Sequence, residues 1–124
     1  MQRLSLSSST TTSRSDMAYE ITLDKVEGAM QFMAETDEPY AVAVTDLESS
    51  DIRRKRVRAR VFIESEGTVA ERNAEAETHH DTEAADEAYA SALLRKETLK
   101  ARRQRAELVI DLWRTLSANQ RKAL

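Results

Sequence analysis

The chain has no cysteine, a single proline and two glycines, and its aromatic complement is one tryptophan, three tyrosines and two phenylalanines. Without cysteine there is no disulfide, no thiolate nucleophile and no cysteine-ligated zinc or iron–sulfur centre. One proline and two glycines supply too little turn chemistry for an all-β barrel or sandwich. No apolar run approaches the roughly 20 residues that span a bilayer. Catalytic signatures are missing too: there is no glycine-rich phosphate loop, no HExxH and no nucleophile with a base beside it. None of the many carboxylates sits in an apolar setting that would raise its pKa. These absences point to a non-enzymatic protein without cofactor, metal or membrane segment.

What is present is charge. Charged residues make up 33% of the 124 and hydrophobic ones 40%, so a thin core carries many solvated side chains. The net charge of −3 hides strong segregation. Residues 16–51 hold ten acids against Lys25, and residues 53–60 (RRKRVRAR) hold six cations and no acid. Residues 64–87 hold nine acids against Arg72, and 95–105 (RKETLKARRQR) hold six cations against Glu97. Blocks of alternating sign suggest that one block pairs antiparallel with another.

Residues 5–15 (SLSSSTTTSRS) carry too little apolar surface to offset the entropy of ordering them, so a disordered tail is expected over 1–18. A transit peptide shares some of this composition, but no apolar face accompanies Arg3 and Arg14. Met17 is an alternative start. There is no secretory apolar core, so the cytoplasm is the expected location.

Helical patterning follows. Leu23, Val26, Met30 and Met33 form one stripe, which predicts a short helix over 21–36 ending at Pro39. Residues 40–66 are ambiguous, because YAVAV and VRARVFI alternate like strands while Tyr40, Val44 and Leu47 also share a helical face. Gly67 and Thr68 are the clearest punctuation. Glycine suits the residue after a helix end, and Thr68 with Glu71 forms a capping box. From Val69 to Lys122 there is neither glycine nor proline, which predicts one long helix over 69–122. Ala85, Tyr89, Ala92, Lys96, Leu99, Arg103, Ala106, Ile110 and Trp113 mark a heptad seam along it. THHD at 78–81 is poor helix material and marks a place for a break.

Two stretches resemble a family. EGTVAERNAEA (66–76) and RRQRAELVIDLWRTLSANQR (102–121) are similar to segments of small helical proteins of tailed phages and prophages. These share an EG-[ST]-V-x-E-R corner and a closing WR-x-L-x-A-N-x-R. The match covers roughly residues 40–122. The resemblance implies an all-α fold: a long antiparallel, coiled-coil-like helical hairpin, with 40–66 as its first arm. It also implies a place among genes of DNA replication and recombination, hence an accessory or adaptor role. A virion scaffold or spacer is an alternative, with the virion as its location. An acidic inhibitor of a host DNA-processing factor is another, supported only by residues 16–51.

The candidate contact residues for DNA or a partner are Arg53, Arg54, Arg56, Arg58 and Arg60, with Arg102, Arg103 and Arg105 on the long helix. Phosphate binding by all six cations of 53–60 would give a salt slope of roughly −5. The competing reading pairs them with the acidic 64–87 stretch. In a hairpin folded at Gly67, residues 53–60 face roughly 74–81, and 95–105 face roughly 29–39, so opposite signs meet in both places. Leu99, Ala106, Val109, Ile110, Leu112, Trp113 and Leu116 form a core or self-association face, so a homo-oligomer and a protein partner are expected. Glu75, His79 and Glu83 lie four apart and, with His80 and Asp81, resemble a weak metal set. No distant second cluster completes a dedicated site, so no metal is expected there.

Overall fold

The computed structural model describes residues 20–123, and every element among them is helical. α1 spans Leu23–Glu64, α2 spans Val69–Thr78 and α3 spans His80–Ala123. The Ser/Thr-rich tail over 1–18 lies outside the described residues. The ambiguous 40–63 stretch is helix throughout. Val57 and Val61, four residues apart, turn to the same side and are buried there.

The expected stop at Pro39 does not occur. α1 runs through it as one helix of 42 residues, so the two helices expected over 21–36 and 40–66 are a single element. The reason is a heptad that sequence reading missed. Val26, Ala29, Met33, Thr36, Tyr40, Ala43, Leu47, Ser50, Arg54, Val57 and Val61 recur at alternating spacings of three and four, and none is exposed. The stripe continues on both sides of Pro39, whose own ring faces outward. Packing along such a stripe outweighs the roughly 3 kcal/mol that an interior proline costs a helix. The stripe drawn from the sequence through Leu23 and Met30 is displaced, since both are exposed.

The long downstream helix is interrupted once, at His79. His79 takes extended backbone (φ −63°, ψ 140°), while its N–H still reaches the Glu75 carbonyl at 2.9 Å. Its Nδ1 accepts the Asp81 N–H at 3.0 Å, which satisfies one of the free donors that begin α3. The heptad seam of α3 is the side turned inward: Ala85, Ala92 and Ala106 are buried, and every other member is half-buried.

Chain packing divides into two units, and both long helices continue from one to the other. In the unit of residues 35–102, α1 and α3 run antiparallel. Asp46, Arg58 and Arg60 meet Arg95, Asp86 and Asp81, so numbers rise on one helix as they fall on the other. Its core is Val57, Val61, Ala76 and Ala85, with Phe62 packed against them. In the unit of described residues 20–34 and 103–123, Val26, Ala29 and Ala106 are buried. There the Arg103 guanidinium donates to the Met33 carbonyl at 3.0 Å. Alanine supplies most of the buried positions. Small side chains let helices approach closely but bury little area each.

The α1–α2 corner is fixed by four residues. Gly67 has φ 111°, and a Cβ there would stand 2.9 Å from Glu71 Oε2. The Thr68 hydroxyl accepts the Glu71 N–H at 3.2 Å and donates to its carboxylate at 3.1 Å. Arg72 closes the end of α1: Nε donates to the Phe62 carbonyl at 3.0 Å, and the guanidinium lies 4.5 Å from the centre of the Phe62 ring. The same substitution at the two glycines should act with opposite sign. Gly28 sits in helix with nothing within 4 Å of a Cβ, so Gly28→Ala should stabilise by up to ~1 kcal/mol. Gly67→Ala should cost about 1–3 kcal/mol. Urea unfolding followed by circular dichroism checks both.

Candidate functional site

The basic block 53–60 lies wholly on α1, and the helix sorts its cations into two groups by what lies within reach. Residues three and four apart are neighbours on a helix. Asp51 is three before Arg54 and four before Lys55, and it pairs with both, at 2.8 Å and 3.1 Å. Arg54 also lies 3.9 Å from the centre of the Tyr89 ring on α3. Arg58 meets Glu77 at 3.7 Å and Asp86 at 3.4 Å, and Arg60 meets Asp81 at 3.3 Å. The acidic 64–87 stretch therefore does neutralise part of the block.

Arg53 and Arg56 are different. Both are exposed, and among the described residues neither makes an ion pair or a side-chain hydrogen bond. No acid stands three or four residues from either: Arg53 has Ser49, Ser50, Arg56 and Val57, and Arg56 has Ile52, Arg53, Ala59 and Arg60. Together with Arg60, Ser49 and Ile52 they line a shallow groove along α1. Ile52 is 51% exposed, which places an apolar surface beside the guanidinium groups. A second groove in the same unit is more apolar. Ala59, Phe62, Ile63 and Ala76 form it, with Arg54, Lys55 and Arg58 along its rim.

The second basic cluster also divides. Arg95 pairs with Asp46 at 3.8 Å rather than with an acid of 29–39, and Lys96 pairs with Glu97 at 3.0 Å. That local bond holds the Glu97 carboxyl below its ordinary value and Lys96 above its own. The register of a hairpin folded at Gly67 brings Arg58 to Glu77, but Arg95 meets an acid further along α1 than it places there. Arg103 is half-buried against a carbonyl. Arg102 and Arg105 are exposed and, among the described residues, without an ion partner.

Of the candidate self-association face, Leu99, Val109, Ile110 and Trp113 are half-buried and Ala106 is buried. Leu108, Leu112 and Leu116, spaced four apart, are 57%, 44% and 43% exposed. The face drawn from the sequence thus splits into an inward seam and an outward leucine stripe. The break at His79 ends the regular four-residue spacing that would set Glu75, His79 and Glu83 on one helix, and it gathers His79, His80 and Asp81 instead. Arg72 was missed as a functional side chain of the corner. Its signal was its position, as the one cation in an acidic run just after a glycine-marked helix end.

Among the described residues no helix is long and apolar enough to cross a membrane. Compared with known proteins, the chain matches no family model, no curated protein and no solved structure.

The Asp51 pairing yields a pH dependence. Hydrogen bonds from Arg54 and then Lys55 hold its carboxyl below the ordinary carboxylate value. A carboxyl depressed by folding stabilises the fold above its ordinary pKa, and that contribution fades as pH falls through the depressed one. Asp51→Asn should therefore lower the melting temperature at pH 7, and the gap from the parent should be smaller at pH 3, below the ordinary carboxylate value of about 4. Thermal unfolding at both pH values measures the difference.

Proposed function

We propose that this protein is a non-enzymatic accessory or adaptor protein of phage or prophage DNA replication and recombination. The phage setting rests on the resemblance of residues 66–76 and 102–121. The observation that supports a nucleic-acid role is the face where Arg53 and Arg56 stand exposed without a counter-ion, beside Arg60. Arginine presents a rigid fork of donors suited to phosphate, and among the described residues no carboxylate competes for this pair. The adaptor reading adds a protein partner, which packs as a helix on the groove of Ala59, Phe62 and Ile63. Ile63 is 71% exposed there.

Only the unpaired face is available for phosphate without breaking an ion pair, which changes the expected salt dependence. Contacts from Arg53 and Arg56 should give a slope of log affinity against log salt of about −2, not −5. Arg53→Ala with Arg56→Ala should remove most of the binding, while Lys55→Ala should change little. Fluorescence anisotropy with single- and double-stranded oligonucleotides across a salt series measures this. No binding at 50 mM salt would exclude direct nucleic-acid contact.

Self-association is the second part of the reading. Leu108, Leu112 and Leu116 form an exposed stripe that nothing among the described residues covers fully. A second copy packed on it would remove that apolar surface from water. Light scattering over a hundredfold dilution should show mass falling toward the monomer, and Leu112→Glu should give the monomer throughout. A parent chain that is monomeric at every concentration overturns this part.

A further inference from the structure

The break between α2 and α3 assembles donors that an unbroken helix would spread around its circumference. The His79 and His80 rings stack with centroids 4.3 Å apart and planes 24° apart. His80 Nε2 lies 3.1 Å from Asp81 Oδ1, and His79 Nδ1 lies 3.8 Å from Asp81 Oδ2. One donor atom from each of the three residues falls within 4.8 Å of the others.

We propose that His79, His80 and Asp81 form a binding site for a borderline divalent transition-metal ion, Zn²⁺ or Ni²⁺. Two imidazoles and one carboxylate are the donor set such ions prefer, whereas Mg²⁺ and Ca²⁺ select all-oxygen sites. His79 Nδ1 accepts a hydrogen bond from the Asp81 amide, and its lone pair therefore points toward Asp81, where the ion would sit. The ion takes that lone pair in exchange for the amide. His79 also lines a groove with Glu64, Glu66, Glu71 and Glu75. Those carboxylates give the approach a negative potential that concentrates cations. His80 is 85% exposed on its side chain, so its ring closes onto an ion without disturbing the packed seam. Asp81 currently holds Arg60 at 3.3 Å. An ion on Asp81 competes with that guanidinium and frees Arg60 beside Arg53 and Arg56.

Isothermal titration of the full, tag-free chain with ZnCl₂ and NiCl₂ at pH 7.5 tests the site. Saturable binding of one ion per chain is expected, with no heat from MgCl₂. His80→Ala and Asp81→Asn should each weaken it at least tenfold, and binding should weaken for the parent at pH 5.5, where protons compete for the imidazoles. Far-UV circular dichroism establishes that His80→Ala is folded. Imidazole resonances of His79 and His80 should shift together on titration with Zn²⁺. Absence of saturable binding by either ion at pH 7.5 overturns the proposal. So does unchanged affinity in His80→Ala, which would place the ion on the neighbouring glutamates instead. Neither result depends on whether Arg53 and Arg56 meet phosphate.

Discussion

The structure depends on two heptad stripes, one on each long helix, whose fully buried members are all valine, alanine or threonine. Val26 through Val61 line α1 and Thr82 through Trp113 line α3, and every member of either stripe is at least half-buried. Small residues buy close helix approach at the expense of buried area, so each layer contributes little and many layers are needed. Length replaces bulk: α1 has 42 residues and α3 has 44. The same constraint explains why α1 passes through Pro39 rather than stopping there. A break would leave one part of the stripe without the continuous helix that aligns it.

Thin packing gives charge a larger part in pairing the helices. Arg54 over Tyr89, Arg58 with Asp86 and Arg60 with Asp81 place long side chains across the α1–α3 seam, where their stems cover apolar surface as well as carrying charge. Ion pairs as exposed as these are worth about 0–1 kcal/mol each, so they select the register more than they stabilise it. Arg58 Nε and Asp86 Oδ1 are buried without a hydrogen-bond partner on the protein, which limits that pair further. Arg53 and Arg56 are unpaired because the helix offers them no acid at three or four residues.

Much of this was legible beforehand, and the failures have physical causes. The helical character of 21–36 and 69–122, the corner at Gly67 and Thr68, and the α3 seam followed from composition and spacing, whereas helix over 40–66 was expected only from the family resemblance. The α1 seam did not, because Thr36, Ser50 and Arg54 occupy three of its positions and hide its period. Pro39 was read as a terminator, since local propensity says nothing about the packing that overrides it. The outward leucine stripe and the inward seam look like one face in the sequence, because Leu112 and Trp113 are adjacent there while the helix turns them roughly 100° apart.

The sequence by itself determined helix over 21–36 and along most of 69–122, that the charges fall in alternating blocks, and that a left-handed residue stands at position 67. Those are properties of local backbone preference and of neighbours three or four residues apart. Tertiary packing decided that Arg58 and Arg60 meet acids across the seam and which leucines stay wet. Each of these depends on which atoms a second helix brings near the first, and that distance is written in no single segment of the chain.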